Sequence, residues 1–151
     1  TKRVSRRRFR TVATRIEDNG APYGAHTLAY RPDRALLLVR HEGVDRWVLP
    51  GGETDGEECF RAAAERELEE EAGVSAEYDG LGMLVTVRFR SGEHSTWGVL
   101  PLFEAAVSAG REPHAADPDG EISRAEWFER LPEDTRDRGQ LRRWREHRFQ
   151  G

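Results

Sequence analysis

The chain has 151 residues, of which 36% are hydrophobic and 34% charged, and its formal net charge is −4. This length suits a single domain over residues 1–151 whose core needs no disulfide, and no apolar run is long enough to span a bilayer. A lone cysteine, Cys59, excludes an internal disulfide and a thiolate zinc site and favours a reducing, cytoplasmic location.

Arginines crowd both ends of the chain, although the negative net charge does not favour binding to nucleic acid. We interpret residues 1 to about 10 as a short basic extension of the domain, and we favour solvated surface over contacts with an anionic ligand or partner. No specific nucleic-acid partner is expected. The arginines concerned are Arg3, Arg6, Arg7, Arg8, Arg10, Arg142, Arg143, Arg145 and Arg148.

Apolar and alternating runs predict two strands in the first third of the chain. We expect a strand over 25–30, a turn over 31–34 and a more buried strand over 35–40, which together form a hairpin. The paired glycines at 51–52 interrupt helices and strands alike, so they must form a loop.

A helix is expected from about 57 to 72, because acidic residues begin it and Gly73 can end it. An alternating run then predicts a strand over 85–89 with its apolar side chains inward, followed by a strand over 97–105. Pro101 marks an edge or a bulge in that second strand, because proline cannot donate a ladder hydrogen bond.

The last third is expected to hold a loop over 107–120, a short strand over 125–128 and a helix from about 138 to 147. Strands interspersed with helices, together with antiparallel hairpins, indicate an α/β domain with a mixed sheet.

The acidic residues of the 57–72 helix are unusual in their direction. Because successive helical residues are separated by about 100°, Glu67 and Glu71 fall in the middle of the apolar face and Glu70 on its flank. Glu65 and Glu69 point away from that face. Inward carboxylates cost free energy unless they are neutralised, and a hard divalent cation such as Mg²⁺ or Mn²⁺ neutralises several oxygens at once.

An arginine is the alternative source of neutralisation for these acids. Arg66 stands four residues before Glu70, a spacing at which the two side chains can pair on one face of a helix. Residue direction alone therefore leaves both a metal site and an arginine-paired helix open.

The same segment resembles the signature of the Nudix hydrolase family, the Nudix box, over its whole length from Gly52 to Val74. Every defined position of the box matches, and the preceding Trp-Val-Leu-Pro-Gly-Gly at 47–52 also resembles the family's approach to this loop. The matching positions are Gly52, five residues, Glu58, seven residues, and then the run Arg66-Glu67-Leu68-Glu69-Glu70-Glu71-Ala72-Gly73-Val74.

This resemblance implies an α/β fold, the Nudix-type α/β/α sandwich with a mixed β-sheet. It also implies Mg²⁺-dependent, or Mn²⁺-dependent, hydrolysis of a phosphoanhydride (pyrophosphate) bond in a nucleoside diphosphate linked to another moiety. Such substrates include nucleotides, nucleotide sugars and ADP-ribose. Carried over by position, Glu67, Glu70 and Glu71 would bind metal, and Glu67 would also poise the attacking water.

Other positions of the box acquire roles in the same way. The main-chain carbonyl of Gly51 would be a further metal ligand, and Arg66 would orient the acids by ion pairing, so that Glu67, Arg66 and Glu70 form the expected catalytic set. Gly52 and Glu58 would hold the loop or an outer-shell water.

A further acid outside the helix is expected to reach the metal. Glu121 follows the loop at 118–120, a setting similar to that of a catalytic loop glutamate in some family members, so we predict that it is a metal ligand. Asp117, Asp119 and Glu93 are the alternatives, because positions of loop residues vary.

Arg40 and Arg46 precede the glycine loop and are candidates for contacts with a substrate phosphate. The marks of individual family branches are absent from the chain, so the substrate is not narrowed further and ADP-ribose stays among the candidates. The alternative function is a non-catalytic Nudix-fold module that binds a nucleotide for regulation, although the intact set of acids argues against it. A homodimer is among the assemblies to be considered.

Overall fold

Three helices and eight strands make up the part of the chain that a computed structural model describes, residues 1–108, 111–115 and 120–149. In chain order they are β1 (Lys2–Arg3), α1 (Arg6–Asn19), β2 (Ala25–Tyr30), β3 (Leu36–His41), β4 (Arg46–Val48), β5 (Gly51–Gly52), α2 (Phe60–Ala72), β6 (Glu77–Ser91), β7 (His94–Ala106), β8 (Ile122–Phe128) and α3 (Arg138–Arg148). None of these helices has the length and apolar character of a membrane span.

The strands form one mixed sheet in which β2 occupies a central place. Strand β2 pairs in parallel with β7 and antiparallel with β3 and β5, while β8 pairs with the other edge of β3. Every residue of β2 is buried, as expected for a strand that is covered on both faces. The predicted strands over 25–30, 35–40 and 125–128 are confirmed to within a few residues.

Helices cover both faces of the sheet, which confirms the expected α/β/α sandwich. Val12 of α1 and Leu141 and Trp144 of α3 pack into one apolar cluster with side chains of the sheet. Leu68 and Ala72 of α2 pack into a second cluster on the opposite face. Helix α2 therefore lies alone on its side of the sheet among the described elements.

The hairpin of β6 and β7 is longer than the alternation predicts. The inward side chains Val85, Val87 and Phe89 are buried, as predicted. The strand nevertheless begins at Glu77. The prediction misses this start because two register shifts between Tyr78 and Met83 break the alternation of inward and outward side chains.

Pro101 lies inside β7 opposite Leu84 of β6, and no register shift occurs there. The parallel pairing of β7 with β2 begins at the next residue, Leu102 opposite His26. The bulge is therefore not found, whereas the edge interpretation fits the half of β7 that precedes this pairing.

Residues 1 to about 10, interpreted as a basic extension, include β1 and the start of α1, and their status as an extension of the domain stays a prediction. Strand β1 pairs in parallel with β6, and α1 is a helix whose Val12 is fully buried. Ser5 caps the helix by accepting the Arg8 N–H at 3.1 Å. The apolar spacing of Phe9, Val12 and Ile16 is the sequence signal for helix α1, and the many arginines between them make it hard to recognise.

Candidate active site

The sheet and a glycine stop fix the orientation of α2. Leu68 and Ala72 are buried on the sheet, so the opposite sides of the helix face solvent. Gly73 ends the helix in the left-handed conformation with a φ of 67°. A β-carbon at Gly73 would lie 2.4 Å from the His114 ring, which would have to move, and the left-handed conformation itself favours glycine.

The acids of α2 are graded in exposure as the helical geometry predicts. Glu71 is buried with 8% of its surface exposed. The side chains of Glu67 and Glu70 are 17% and 41% exposed, respectively. Glu65 and Glu69 face solvent. Glu71 and Glu67 are therefore shielded from bulk water, whereas Glu70 lies on the flank and is nearly as exposed as Glu65, whose side chain is 49% exposed.

Arg66 joins these acids to the loop that precedes the helix. Its Nη1 lies 2.7 Å from Glu67 Oε1 and 3.2 Å from Glu70 Oε2. Its Nε and Nη2 each donate to one carboxylate oxygen of Glu58 at 3.0 Å, and Nη2 also donates to the Glu53 carbonyl at 3.0 Å. A planar guanidinium has enough donors in fixed directions to hold all of these groups together.

The charges of this cluster stabilise one another. The two hydrogen bonds from Arg66, followed by the Asp55 N–H, hold the pKa of Glu58 below its usual range. The pairing with Glu58, and then with Glu67, raises the pKa of Arg66 despite partial burial. The contact between arginine and inward acids that sequence reasoning left as an alternative is thus present in the structure.

Glu71 is tied to the glycine loop rather than to Arg66. Its Oε1 accepts the backbone N–H of Gly51 at 2.8 Å. A buried carboxylate near the C-terminal end of a helix is disfavoured by the helix dipole, and this hydrogen bond satisfies one of its oxygens. The same contact places the loop directly against the acidic face of α2.

The glycines at 51–52 lie close to neighbouring atoms of β2 and α2. A β-carbon on Gly52 would lie 2.8 Å from the carboxyl carbon of Glu67. A β-carbon on Gly51 would lie 2.4 Å from the Ala25 carbonyl oxygen and from the His26 ring. Residues 51–52, which the sequence predicts to form only a loop, thus pair with β2 as the short strand β5. Gly51 is required there because it faces backbone, whereas at Gly52 the end of the Glu67 side chain could move away.

The donor chemistry of this cluster suits a hard divalent cation. Glu67, Glu70 and Glu71 offer only oxygen atoms, the ligands that Mg²⁺ and Mn²⁺ prefer. Within the described ranges no three His, Cys, Asp or Glu side chains are arranged as a finished metal site. The acids are drawn instead to Arg66 and to the Gly51 N–H, so metal binding would require their oxygens to be shared or redirected.

Glu121 lies one residue before β8, with 63% of its side chain exposed. Its Oε2 is 3.3 Å from Nε2 of His41 at the end of β3. The alternatives Asp117 and Asp119 fall outside the described residues, and Glu93 lies in the turn between β6 and β7. The role of Glu121 as a metal ligand stays a prediction.

Arg40 and Arg46 lie on the strands before the glycine loop. Arg40 forms ion pairs with Asp134 at 2.6 Å and with Asp45 at 2.5 Å. Arg46 is exposed at the start of β4. Arg40 would have to leave two carboxylates to bind phosphate, so its observed contacts favour a structural role, and substrate contact stays a prediction for both residues.

Two residues beside the loop were not singled out from the sequence. His26 pairs with Gly51 between β2 and β5, and its Nε2 lies 3.4 Å from Nη2 of Arg136. The sequence signal for His26 is that it and Thr27 are polar residues within an otherwise apolar strand, which the structure buries completely. No local pattern marks Arg136, which reaches the site from the segment between β8 and α3.

Comparison with known proteins agrees with this geometry. A provisionally named 8-oxo-dGTP diphosphatase of Bacillus subtilis is 33% identical over 78 residues, which cover 51% of this chain and 52% of that protein. Diphosphoinositol polyphosphate phosphohydrolase 3-alpha of Mus musculus is 36% identical over 91 residues, covering 54% of each chain. The chain thus spans about half the length of the curated relatives that it matches.

Among solved structures, a MutT NUDIX hydrolase from Burkholderia pseudomallei superposes with a TM-score of 0.61 at 27% identity, covering 82% of this chain and 95% of that chain. A family model described as NUDIX domain matches residues 21–145, a range that includes the glycine loop, α2 and the sheet. Because this match covers most of the sequence, the chain belongs to the Nudix family.

Proposed function

We propose that this protein hydrolyses a phosphoanhydride bond in a nucleoside diphosphate linked to another moiety, with the help of Mg²⁺ or Mn²⁺. The observation that carries the proposal is the approach of Glu67 and Glu71 to the glycines at 51–52, with Arg66 binding Glu67 and Glu70 and joining the helix to the segment before it. A regulatory module that only binds a nucleotide would not need this set of acids.

The roles follow from the contacts of each residue. Glu67, Glu70 and Glu71 would hold the cation, which supplies positive charge to the non-bridging phosphate oxygens and lowers the pKa of a bound water. Glu67, the acid closest to Gly52, would accept a proton from the attacking water. Arg66 fixes the directions of Glu67 and Glu70, and Glu58 fixes Arg66.

The relatives suggest the range of substrates. The name of the Bacillus subtilis protein refers to 8-oxo-dGTP, and the name of the mouse protein refers to diphosphoinositol polyphosphate. Both are small molecules with several phosphates. We infer that the substrate here is a nucleotide-type or similarly phosphorylated small molecule, while the cytoplasmic location and a homodimer stay predictions from the sequence.

Removal of the charge on Glu67 or Glu71 should abolish most of the activity. Glu67→Gln and Glu71→Gln keep the size of each side chain, so the circular dichroism spectrum should not change. We expect kcat/KM, measured by phosphate release from nucleoside diphosphate derivatives with Mg²⁺ and with Mn²⁺, to fall more than tenfold, a loss of about 1.4 kcal/mol of transition-state stabilisation. Glu65→Gln, on the solvent side of the same helix, is the matched control.

A smaller loss in both variants would contradict the roles assigned to these acids. If wild-type protein turned over none of the compounds but bound one tightly, a non-catalytic nucleotide-binding module would be favoured instead.

Gly52→Ala should displace Glu67 without unfolding the protein. The new β-carbon would lie 2.8 Å from the Glu67 carboxyl carbon, and the far end of a long side chain can move away from it. We expect the melting temperature to change little and kcat/KM to fall about tenfold, because small displacements of catalytic groups are costly. Gly139→Ala in α3, where the β-carbon meets nothing closer than 3.8 Å, is the control. Full activity of Gly52→Ala would show that the loop does not position Glu67.

Glu121→Gln tests whether an acid outside α2 contributes to the metal site. We expect weaker activation by Mg²⁺, measured as the metal concentration at half-maximal rate, because one carboxylate ligand is lost. Glu65→Gln, on the solvent side of α2, should behave as wild type. Unchanged metal activation in Glu121→Gln would move the role to another acid, with Asp117 and Asp119 the next to replace.

Metal should stabilise the fold through Glu71. If free Mg²⁺ is about a hundred times its dissociation constant, linkage gives about 2.7 kcal/mol and raises the melting temperature by several degrees. Glu71→Gln keeps an acceptor for the Gly51 N–H while removing the charge, so it should melt no lower than wild type in chelator and lose the Mg²⁺ shift. Glu67 is less suitable, because its replacement would break the ion pair with Arg66. A sodium salt of matched ionic strength is the control, and an equal Mg²⁺ shift in both proteins would exclude Glu71 as a ligand.

A further inference from the structure

Three cations from separate parts of the chain meet around the ring of Tyr23. Lys2 Nζ lies 5.6 Å from the ring centre, and the guanidinium carbons of Arg8 and Arg136 lie at 5.5 and 5.2 Å. Lys2 belongs to β1, Arg8 to α1, and Arg136 to the segment before α3. The negative face of an aromatic ring attracts such cations and partly offsets their mutual repulsion.

These cations lack acidic partners in the described part of the chain. None of Lys2, Arg8 and Arg136 forms an ion pair with any carboxylate of residues 1–108, 111–115 or 120–149. Many other arginines of the protein do form such pairs, among them Arg15, Arg31, Arg40, Arg61, Arg66, Arg124 and Arg148. The group at Tyr23 is therefore a concentration of positive charge that no carboxylate of the described residues pairs with directly, although Asp137 and Glu71 offset part of it at Arg136.

Arg136 is the innermost of the three. Burial is the main cause that lowers the pKa of its guanidinium, and the charge of Arg8 adds to this effect, while Asp137 and Glu71 oppose it from a distance. A cation that is partly removed from water gains from an anionic partner more than an exposed one does.

The ring of His26, beside Arg136, has a nitrogen without a hydrogen-bond partner among the described residues. A guanidinium can only donate, so the Arg136 contact makes Nε2 the acceptor and leaves the proton on Nδ1. Nδ1 has no hydrogen-bond partner among the described residues, and the side chain is buried with 5% exposure.

This cationic group lies next to the acids of the proposed catalytic site. The His26 ring is against the α-carbon of Gly51, where a β-carbon would come within 2.4 Å of it. The Gly51 N–H in turn donates to Glu71. A single residue of β2 and a single residue of β5 therefore separate Arg136 from the acidic face of α2.

We propose that Lys2, Arg8 and Arg136 bind a phosphate group of the substrate beyond the two that the scissile anhydride joins. This proposal rests on the proposed function and narrows it, because substrates with additional phosphates would be selected over a plain diphosphate linkage. Tyr23 carries the cations on its ring and is not a stacking surface for a base. The additional phosphate belongs either to a nucleoside triphosphate or to a polyphosphorylated cyclic alcohol.

The binding step is tested without metal or turnover. Inorganic triphosphate is titrated into the whole protein in chelator at fixed ionic strength, and the dissociation constant is measured by calorimetry. We expect Arg136→Gln and Arg8→Gln each to weaken binding about tenfold, as for the loss of one charge-assisted contact. Arg7→Gln, an exposed neighbour on α1 whose side chain forms no ion pair in the described part of the chain, should bind within about twofold of wild type.

Arg8 is exposed, so Arg8→Gln should fold even if Arg136→Gln does not. Equal binding of triphosphate by wild type, Arg8→Gln and any folded Arg136→Gln would overturn the proposal, as would an equal loss in Arg7→Gln.

The second step measures selectivity in the presence of Mg²⁺. Wild type and Arg8→Gln are compared on dGTP, on a diphosphoinositol polyphosphate and on ADP-ribose, which has no phosphate beyond its anhydride. The ratio of kcat/KM for the preferred polyphosphate to kcat/KM for ADP-ribose should fall about tenfold in the variant, and the compound that shows the fall identifies the source of the phosphate. An unchanged ratio would overturn the proposal. Triphosphate binding that depends on Arg8 without turnover of any compound would support the subsite and refute the proposed hydrolysis, so the two failures are distinguishable.

Discussion

The geometry of the candidate site depends on the guanidinium of Arg66. The Nε–Nη2 edge of this group binds both carboxylate oxygens of Glu58, and the remaining donors reach Glu67, Glu70 and the Glu53 carbonyl. Without such a cation, the acids of α2 would repel one another near the negative end of a helix. Lysine could not replace it, because a single ammonium lacks the fork that binds a carboxylate through two nitrogens. The loop and the helix therefore have a fixed relation before any ligand arrives.

The second constraint is the absence of side chains at 51–52. Residues 51–52 lie between β2 and α2. A β-carbon on Gly51 would overlap the His26 ring, and one on Gly52 would overlap the Glu67 carboxylate. Gly24, with a φ of 75°, makes a similar approach, since a β-carbon there would be in contact with the Gly52 carbonyl. Close backbone packing thus brings donors of the main chain within reach of the acids, which bulky residues would prevent.

The direction of the acids on α2 can be predicted from the sequence, because it depends on the helix alone, while their roles stay predictions. Helical geometry alone places Glu67 and Glu71 inward and Glu69 outward, and the burial of Glu71 agrees with it. The family resemblance covers the same short segment and supplies the chemistry. Helix α1 is harder to predict, because its apolar face is narrow and interrupted by arginines, and the start of β6 is hidden by register shifts. Arg136 could not be predicted at all, since its place beside His26 arises from packing between distant segments.

The acidic and cationic groups have opposite charge, and no ion pair joins them among the described residues, although Glu71 attracts Arg136. The acids lie on α2, whereas the cations come from β1, α1 and the segment before α3, and the sheet at β2 stands between them. His26 lies next to Arg136 and carries no charge, because burial lowers its pKa. It therefore pairs neither with the Arg136 guanidinium nor with the Glu71 carboxylate as an ion. A phosphorylated substrate with a bound cation has the opposite arrangement of charge. Its metal would face the acids of α2, and its remaining phosphate oxygens would face the cations at Tyr23. If the proposed function holds, the separation of charge in the protein would orient such a substrate before any bond is broken, which is how binding energy at a remote phosphate can be used at the reacting one.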